Sequence, residues 1–292
     1  MNERRSLGRA GVGKRRHIAL EITMPTELRS LRLALLIDAD NVPARMIGRA
    51  FTEMEKYGQL AVRRAYGDFS GAQGAAWQET LVRHAIVPHH LAICSRGKNA
   101  ADIALVIDAM DLLHGGAFGG FCIVSGDSDF AHLATRIREQ NLECYVFGGA
   151  STPERLKRAC NRFIYLENLR FDPLNAADPK MKPLRPLRDA LPIVRTAIST
   201  LVDDPADWVR IDLLERELER RTTDFDTRTY GHVRLRDLLI ALKRPFVVDG
   251  PRDSIGRVRM RVARAGRKVR AELSIPNSMP CTGTSSPPAV RD

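Results

Sequence analysis

No apolar run in this 292-residue chain approaches the ~20 residues a bilayer-spanning helix needs. At the N-terminus, the positive charge through Lys14-Arg15-Arg16 is followed only by Ile18-Ala19-Leu20 before Glu21 intervenes, too short an apolar stretch for a secretory signal. The expectation is therefore no membrane partner and a cytoplasmic location. The five cysteines, Cys94, Cys122, Cys144, Cys160 and Cys281, are odd in number, widely spaced and without a CxxC pair. Neither a disulfide framework nor a zinc site is signalled, and the three in apolar segments are expected as buried free thiols. There is no Walker lysine loop and no GxGxxG, which removes the common phosphate-cradling motifs.

Positive charge is in excess. The formal net charge is +11, with 46 Lys and Arg against 35 Asp and Glu. Such an excess suggests a polyanionic partner, nucleic acid before an anionic membrane surface; the alternative is a basic tail with no partner. Hydrophobic residues at 44% and charged residues at 28% are those of a globular protein, long enough for one large domain or two ordinary ones.

Residues 1–30 read as a disordered basic leader, with Met24 as a candidate true start. From Leu31 the pattern alternates. Leu31–Ile37 is a buried strand ending in Asp38-Ala39-Asp40-Asn41. A helix begins at Val42-Pro43 and carries Ile47, Phe51 and Met54 at helical spacing. Leu60–Tyr66 is a second strand, then comes a helix through Trp77, Leu81 and Val82, and a strand over Ile86–Ile93. After the loop Ser95-Arg96-Gly97-Lys98-Asn99, a helix is expected to turn Ile103, Val106, Ile107, Met110 and Leu113 to the core. Phe121-Cys122-Ile123-Val124 then runs straight into Ser125-Gly126-Asp127-Ser128-Asp129, with Gly126 expected to provide the sharp turn. A helix through Leu133 and Ile137 and a strand Leu142–Phe147 follow. Ser151-Thr152-Pro153-Glu154 has capping-box spacing at a helix start, and a last strand lies near Phe163–Leu166. Alternating strands and helices of this kind predict a parallel sheet with helices on both faces.

Residues 170–188 hold repeated X-Pro steps and read as a linker. Beyond it come helices over Leu191–Leu201, Ile211–Leu218 and Arg228–Leu242, a short piece at Trp208-Val209, and a hairpin of Phe246-Val247-Val248 with Arg257–Val262 around Asp249-Gly250. Three helices and a hairpin make a winged-helix pattern, expected over 189–264, with a disordered tail over 265–292.

The carboxylates fall where such a sheet does its chemistry. Ligands bind outside the carboxyl ends of the strands of an open α/β sheet. Asp38 ends the first strand, Asp127 and Asp129 follow the central strand, and Asp102 opens the helix after the Lys98 loop. Adjacent strands lie about 4.8 Å apart, so carboxylates from two strand ends can share a cation, and clustered carboxylates repel unless a cation or proton is shared. An all-oxygen set suits Mg²⁺ or Mn²⁺, and no His lies in these motifs to suggest zinc. Each acid has a plainer alternative: turn or cap residues for Asp38 and Asp40, a first-turn acid favoured by the helix dipole for Asp102, solvated loop acids for Asp127 and Asp129. Asp108, six residues after Asp102, points about 120° away on a 3.6-residue helix and is set aside from the four.

Asp38-x-Asp40 is similar to the first motif of haloacid-dehalogenase phosphatases, but the lysine that family needs downstream has no good match. Asp127-Ser128-Asp129 matches the DxD of a toprim domain, but Asp38 stands where that family has Glu. The motifs that fit together are Leu35-Leu36-Ile37-Asp38-Ala39-Asp40-Asn41, Tyr66-Gly67-Asp68, Lys98-Asn99-Ala100-Ala101-Asp102 and Ser125-Gly126-Asp127-Ser128-Asp129-Phe130. In this order they resemble the NYN domain of the PIN-like ribonuclease superfamily, over about residues 31–169. The resemblance implies a PIN-like three-layer α/β/α sandwich with a mainly parallel sheet, a Mg²⁺ or Mn²⁺ cage and cleavage of RNA. It puts Asp38, Asp102, Asp127 and Asp129 at the metal and catalytic positions and Asn41 beside them. Phe225-Asp226-Thr227-Arg228-Thr229-Tyr230-Gly231 resembles the core of the OST-HTH (LOTUS) domain, which is similar to a winged helix and implies RNA binding. Substrate contacts are expected from Arg96, Lys98, Ser125, Arg257, Arg259 and Arg261. RNA is the expected partner, with a homo-oligomer also considered. A non-catalytic RNA-binding or assembly adaptor with an idle site is the alternative to the enzyme.

Overall fold

The computed structural model describes residues 31–90, 99–170, 183–204, 207–250 and 256–260. The expectations for the leader, Met24, Cys94, Arg96, Lys98, Arg261, Cys281 and the tail lie outside these residues.

Six strands form one wholly parallel sheet: β1 (Arg32–Asp38), β2 (Gln59–Gly67), β3 (Val87–His90), β4 (Gly120–Val124), β5 (Glu143–Gly148) and β6 (Arg162–Tyr165). Their order is β3-β2-β1-β4-β5-β6. The chain winds outward from β1 to β3, returns to the middle at β4 and winds out the other way. β1 and β4 therefore flank the point where the winding direction reverses, the place where this class of sheet opens a ligand crevice.

β1 and β4 are buried on both faces, as the unbroken apolar runs require. Side chains alternate across the sheet. Leu33, Leu35 and Ile37 pack with α1 (Ile47–Met54) and with Trp77 of α2 (Gly71–Arg83). Ala34 and Leu36 pack with α3 (Ala100–His114), α4 (Ala131–Glu139) and α5 (Glu154–Ala159) on the opposite side. The result is the three-layer sandwich. Asp38 continues the Ala34–Leu36 series, which directs it to the α3 layer.

Several local expectations are corrected. α3 does not bury Ile103, Val106 and Ile107; they are exposed, and the helix packs through Ala101, Leu105, Ala109 and Leu113. Alanines let the helix lie close to the sheet, while larger apolar residues on the outer side obscure the periodicity. On α2, Trp77 is buried while Val82 is exposed. The capping box at Ser151–Glu154 does not form: Pro153 is the N-cap of α5 with no side-chain bond, and Glu154 instead pairs with Lys157 at 3.2 Å. Gly126 has no positive φ. Its reason is space, since a Cβ there would stand 3.3 Å from Thr152 Oγ1.

The second unit comprises α6 (Ala190–Leu201), α7 (Ile211–Arg221), α8 (Leu235–Leu242) and an antiparallel sheet of β7 (Val209–Arg210), β9 (Arg257–Met260) and β8 (Phe246–Asp249) in that order. The single helix expected over Arg228–Leu242 is interrupted. A 3-10 turn over Thr227–Tyr230 ends at Gly231, whose φ of 83° is left-handed, and α8 starts afresh at Leu235. Leu235, Leu238 and Leu239 bury on α6, α7 and Phe246 as the leucine spacing predicts.

The two units are bonded to each other. The backbone N–H of Phe163 on the edge strand β6 donates to Thr223 O at 2.8 Å, which covers part of an edge otherwise open to stray pairing. Tyr165 Oη donates to Asp224 at 2.6 Å, and Arg185 Nη2 donates to the same carboxylate at 2.9 Å. Arg228 reaches Glu53 of α1 through both terminal nitrogens, at 3.2 and 3.0 Å, and also holds Asp226.

Candidate active site

The site is built on one buried carboxylate. Asp38 ends β1 and is 1% exposed. Such a group is costly unless its oxygens are bonded. Three donors serve it: Asn41 N–H at 3.3 Å on Oδ1, Asn41 Nδ2 at 2.7 Å on Oδ2, and Ser125 Oγ at 2.6 Å on Oδ2. Burial pushes its pKa above the ordinary carboxylate value, against the pull of Ser125 and Asn41, and Asp40 adds repulsion.

Ser125 joins the two halves of the crevice. It ends the β4 segment, its hydroxyl donates to Asp38, and its oxygen accepts the Asp127 N–H at 3.0 Å. Asp127 in turn accepts the Asp129 N–H at 2.9 Å, capping the 3-10 turn Ser128–Phe130 that leads into α4. Ser125 is fully buried. What its hydroxyl does in the structure is hold Asp38 and the Asp127 backbone. Asn41 is likewise a holder of Asp38.

Asp102 lies in the first turn of α3 and is half-buried. Its pKa is raised to about 6, first by desolvation and then by Asp38, Asp127, Asp40 and Asp129 in decreasing measure. Asp38, Asp127 and Asp129 thus all bear on Asp102 across the β1–β4 crevice. Asp40, which the sequence left as a turn residue, joins them. Its Oδ1 accepts the Asp68 N–H at 3.1 Å, and the chain at Gly67 passes so close that a Cβ would stand 2.7 Å from that oxygen. Its position two residues after Asp38 at a strand end was the available signal.

The acids share a field but not a single point: among the described residues, no three His, Cys, Asp or Glu side chains are close enough together to hold a metal ion. The donor set nevertheless fits a hard cation, being carboxylates and an amide with no thiol or imidazole. A crevice in which burial and neighbouring carboxylates together favour the protonated form of Asp102 is one that a divalent ion would relieve.

Asp108, set aside by helical geometry, is bonded to Arg64 and Tyr66 Oη and ties α3 to β2. Arg257 and Arg259 lie on β9 of the second unit, and their contacts are with Trp208 and Asp249. Cys122, Cys144 and Cys160 are free and buried, their thiols pushed above the usual value by desolvation. No helix among the described residues is long and apolar enough to cross a membrane.

Comparison with known proteins gives a consistent assignment. The family model of the NYN domain matches residues 32–167, and that of the OST-HTH/LOTUS domain matches residues 190–257. No curated protein matches. Among solved structures, a protein of unknown function from Vibrio parahaemolyticus is 18% identical with a TM-score of 0.39, covering 46% of this chain and 92% of its own. MurG from Acinetobacter baumannii is 12% identical with a TM-score of 0.32, covering 61% of this chain and 50% of its own. Likenesses that distant carry no argument. The two domain matches, with the six-stranded parallel sandwich, make the chain an NYN-domain protein with a C-terminal OST-HTH/LOTUS domain.

Proposed function

We propose that this protein is a ribonuclease that hydrolyses RNA phosphodiester bonds with Mg²⁺ or Mn²⁺, its C-terminal domain binding the RNA. One observation carries the reading. A buried Asp38, fixed by Asn41 and Ser125, faces a crevice in which burial first, and then the charges of Asp38, Asp127, Asp40 and Asp129, raise Asp102 to about 6. A fold using these acids only as turn and cap residues has no reason to bury one at a strand end and bring the charges of the others to bear on Asp102.

A bound divalent ion would supply an activated water and neutralise charge on the phosphate. Asp38 and Asp127 would be its direct ligands, and Asp102 and Asp129 would complete the set or hold its water. Asn41 and Ser125 keep Asp38 in one rotamer, so the first ligand needs no reorganisation.

The competing reading, a binding or assembly protein with an idle site, draws on the separation of those carboxylates. One experiment decides. Purified protein and Asp127→Asn are incubated with labelled single-stranded and structured RNA in Mg²⁺ and in Mn²⁺. Cleavage by the parent and its loss in Asp127→Asn supports the enzyme. Binding without cleavage in either metal overturns it.

A further inference from the structure

The outer face of the small sheet in the second unit sets a tryptophan among arginines. β7 and β9 pair antiparallel with Val209 opposite Val258 and Arg210 opposite Arg257. Side chains alternate along a strand, and Val209 and Val258 are buried in the core. Trp208, Arg210, Arg257 and Arg259 therefore share the opposite, outward face. The distances agree: Arg259 Cζ lies 4.6 Å and Arg257 Cζ 5.1 Å from the Trp208 ring centroid. Arg257 is partly neutralised by Asp249 at 2.9 Å, and Arg210 by Asp212 at 2.8 Å. Among the described residues no carboxylate is paired with Arg259.

We propose that this face is a stacking platform for single-stranded RNA, with an unpaired base laid on the half-exposed Trp208 indole and Arg259 and Arg257 on the flanking phosphates. The proposal rests on the reading that the chain takes RNA. It concerns binding, by a surface that shares no residue with the acidic crevice. Charge complementarity selects the class of ligand. Arg259 without a paired carboxylate, beside two partly neutralised arginines and in a chain of net charge +11, calls for a polyanion. The flat aromatic beside them calls for a polyanion that also presents planar faces. Single strands offer both, and aromatic stacking tolerates any base sequence because every base has a π-face. A duplex keeps its base faces covered, and an acidic peptide has none. The arginines now resting over the indole are long and jointed, so they move to the backbone as a base arrives.

The protein carries its own reporter. It has two tryptophans, and Trp77 is 1% exposed inside the first unit. Quenching by an added ligand therefore reads Trp208. Full-length Asp127→Asn protein, which prevents turnover during the titration, is titrated with oligouridine, with an abasic ribose-phosphate oligomer of equal length, with duplex RNA and with oligoglutamate. Oligouridine is expected to quench and to bind more tightly than the other three. Trp208→Ala should weaken oligouridine about five-fold or more, the least expected for one lost stack, while Trp208→Phe keeps most of the affinity. Arg259→Gln should lower the slope of log affinity against log salt by about one, and Arg259→Lys should restore it. Equal binding of the abasic oligomer, undiminished affinity in Trp208→Ala, or stronger quenching by oligoglutamate overturns the proposal. The abasic comparison needs no variant, so a misfolded Trp208→Ala leaves the question answerable. Trp208-dependent binding by a protein that cleaves nothing would sink the nuclease reading and leave this one standing. Cleavage with unchanged binding in Trp208→Ala would do the reverse.

Discussion

The Ser125 hydroxyl donates a hydrogen bond to Asp38 and accepts one from the Asp127 backbone N–H, so a single oxygen fixes both sides of the crevice. Ser125→Ala removes a donor from a buried carboxylate and an acceptor from an N–H. Leaving such groups unpaired costs about 1–3 kcal/mol, and the midpoint of urea unfolding should fall accordingly. Asp102 sets a pH dependence. Its folded pKa is raised to about 6, so the folded chain holds this proton more tightly than the unfolded chain does. The stability it contributes is complete below the unfolded value of ~3.9 and is lost as pH rises through about 6. In chelator, the melting temperature of the parent minus that of Asp102→Asn should fall between about pH 4 and pH 6 and level off above that. A flat difference would show that Asp102 does not feel its neighbours. Adding Mn²⁺ at neutral pH should raise the parent's melting temperature more than that of Asp38→Asn, through preferential binding to the folded state.

At the scale of elements, α3 separates what pattern shows from what packing decides. Counting large apolar residues points to Ile103, Val106 and Ile107 as the buried stripe, yet the sheet takes Ala101, Leu105 and Ala109. A helix apolar on most of its surface has no clear direction, so its rotation is settled by what it meets. Here the Asp108 bonds to Arg64 and Tyr66 pin that rotation. Leu105→Ala should cost about 2–5 kcal/mol, as a fully buried leucine does. Ile107→Ala should stay within about 0.5 kcal/mol of the parent. Guanidinium unfolding of the two variants checks both, and a large loss at Ile107 would mean that a partner covers it. The strands were easier to read, because β1 and β4 are buried on both faces and their runs stay apolar without a break. The candidate site was legible for the same reason: Asp38 and Asp127 follow those runs directly. Ser125 and Asn41 were visible as residues but not as holders of Asp38, a role that depends on which strand lies beside β1.

For the whole molecule, the contact between Glu53 and Arg228 spans 175 positions and could not be read from either domain's motif. Burial would push the Glu53 carboxyl up, but Arg228 and Lys56 outweigh it and hold it below its usual range. That contribution is present above the unfolded glutamate value and is lost as pH falls through the lowered one, so acid should loosen the junction first at this pair. Arg228→Ala should destabilise by about 3 kcal/mol, the lower end for a broken buried pair because Lys56 still faces Glu53. Arg228→Lys should not restore it, since one ammonium cannot bridge Glu53 and Asp226 in the forked geometry. Calorimetry should show one transition for the parent and a lower or divided one for Arg228→Ala.

The sequence by itself determined the local chemistry: which runs are strands, where the turns fall, and that acids stand at the strand ends, because period, apolar continuity and charge are properties of neighbours along the chain. The tertiary structure alone decided that β4 returns beside β1, which face α3 offers, that Ser125 and Asn41 converge on Asp38, and that Arg228 crosses to Glu53. Those are relations between segments far apart in the chain, settled by packing and desolvation after the elements have formed.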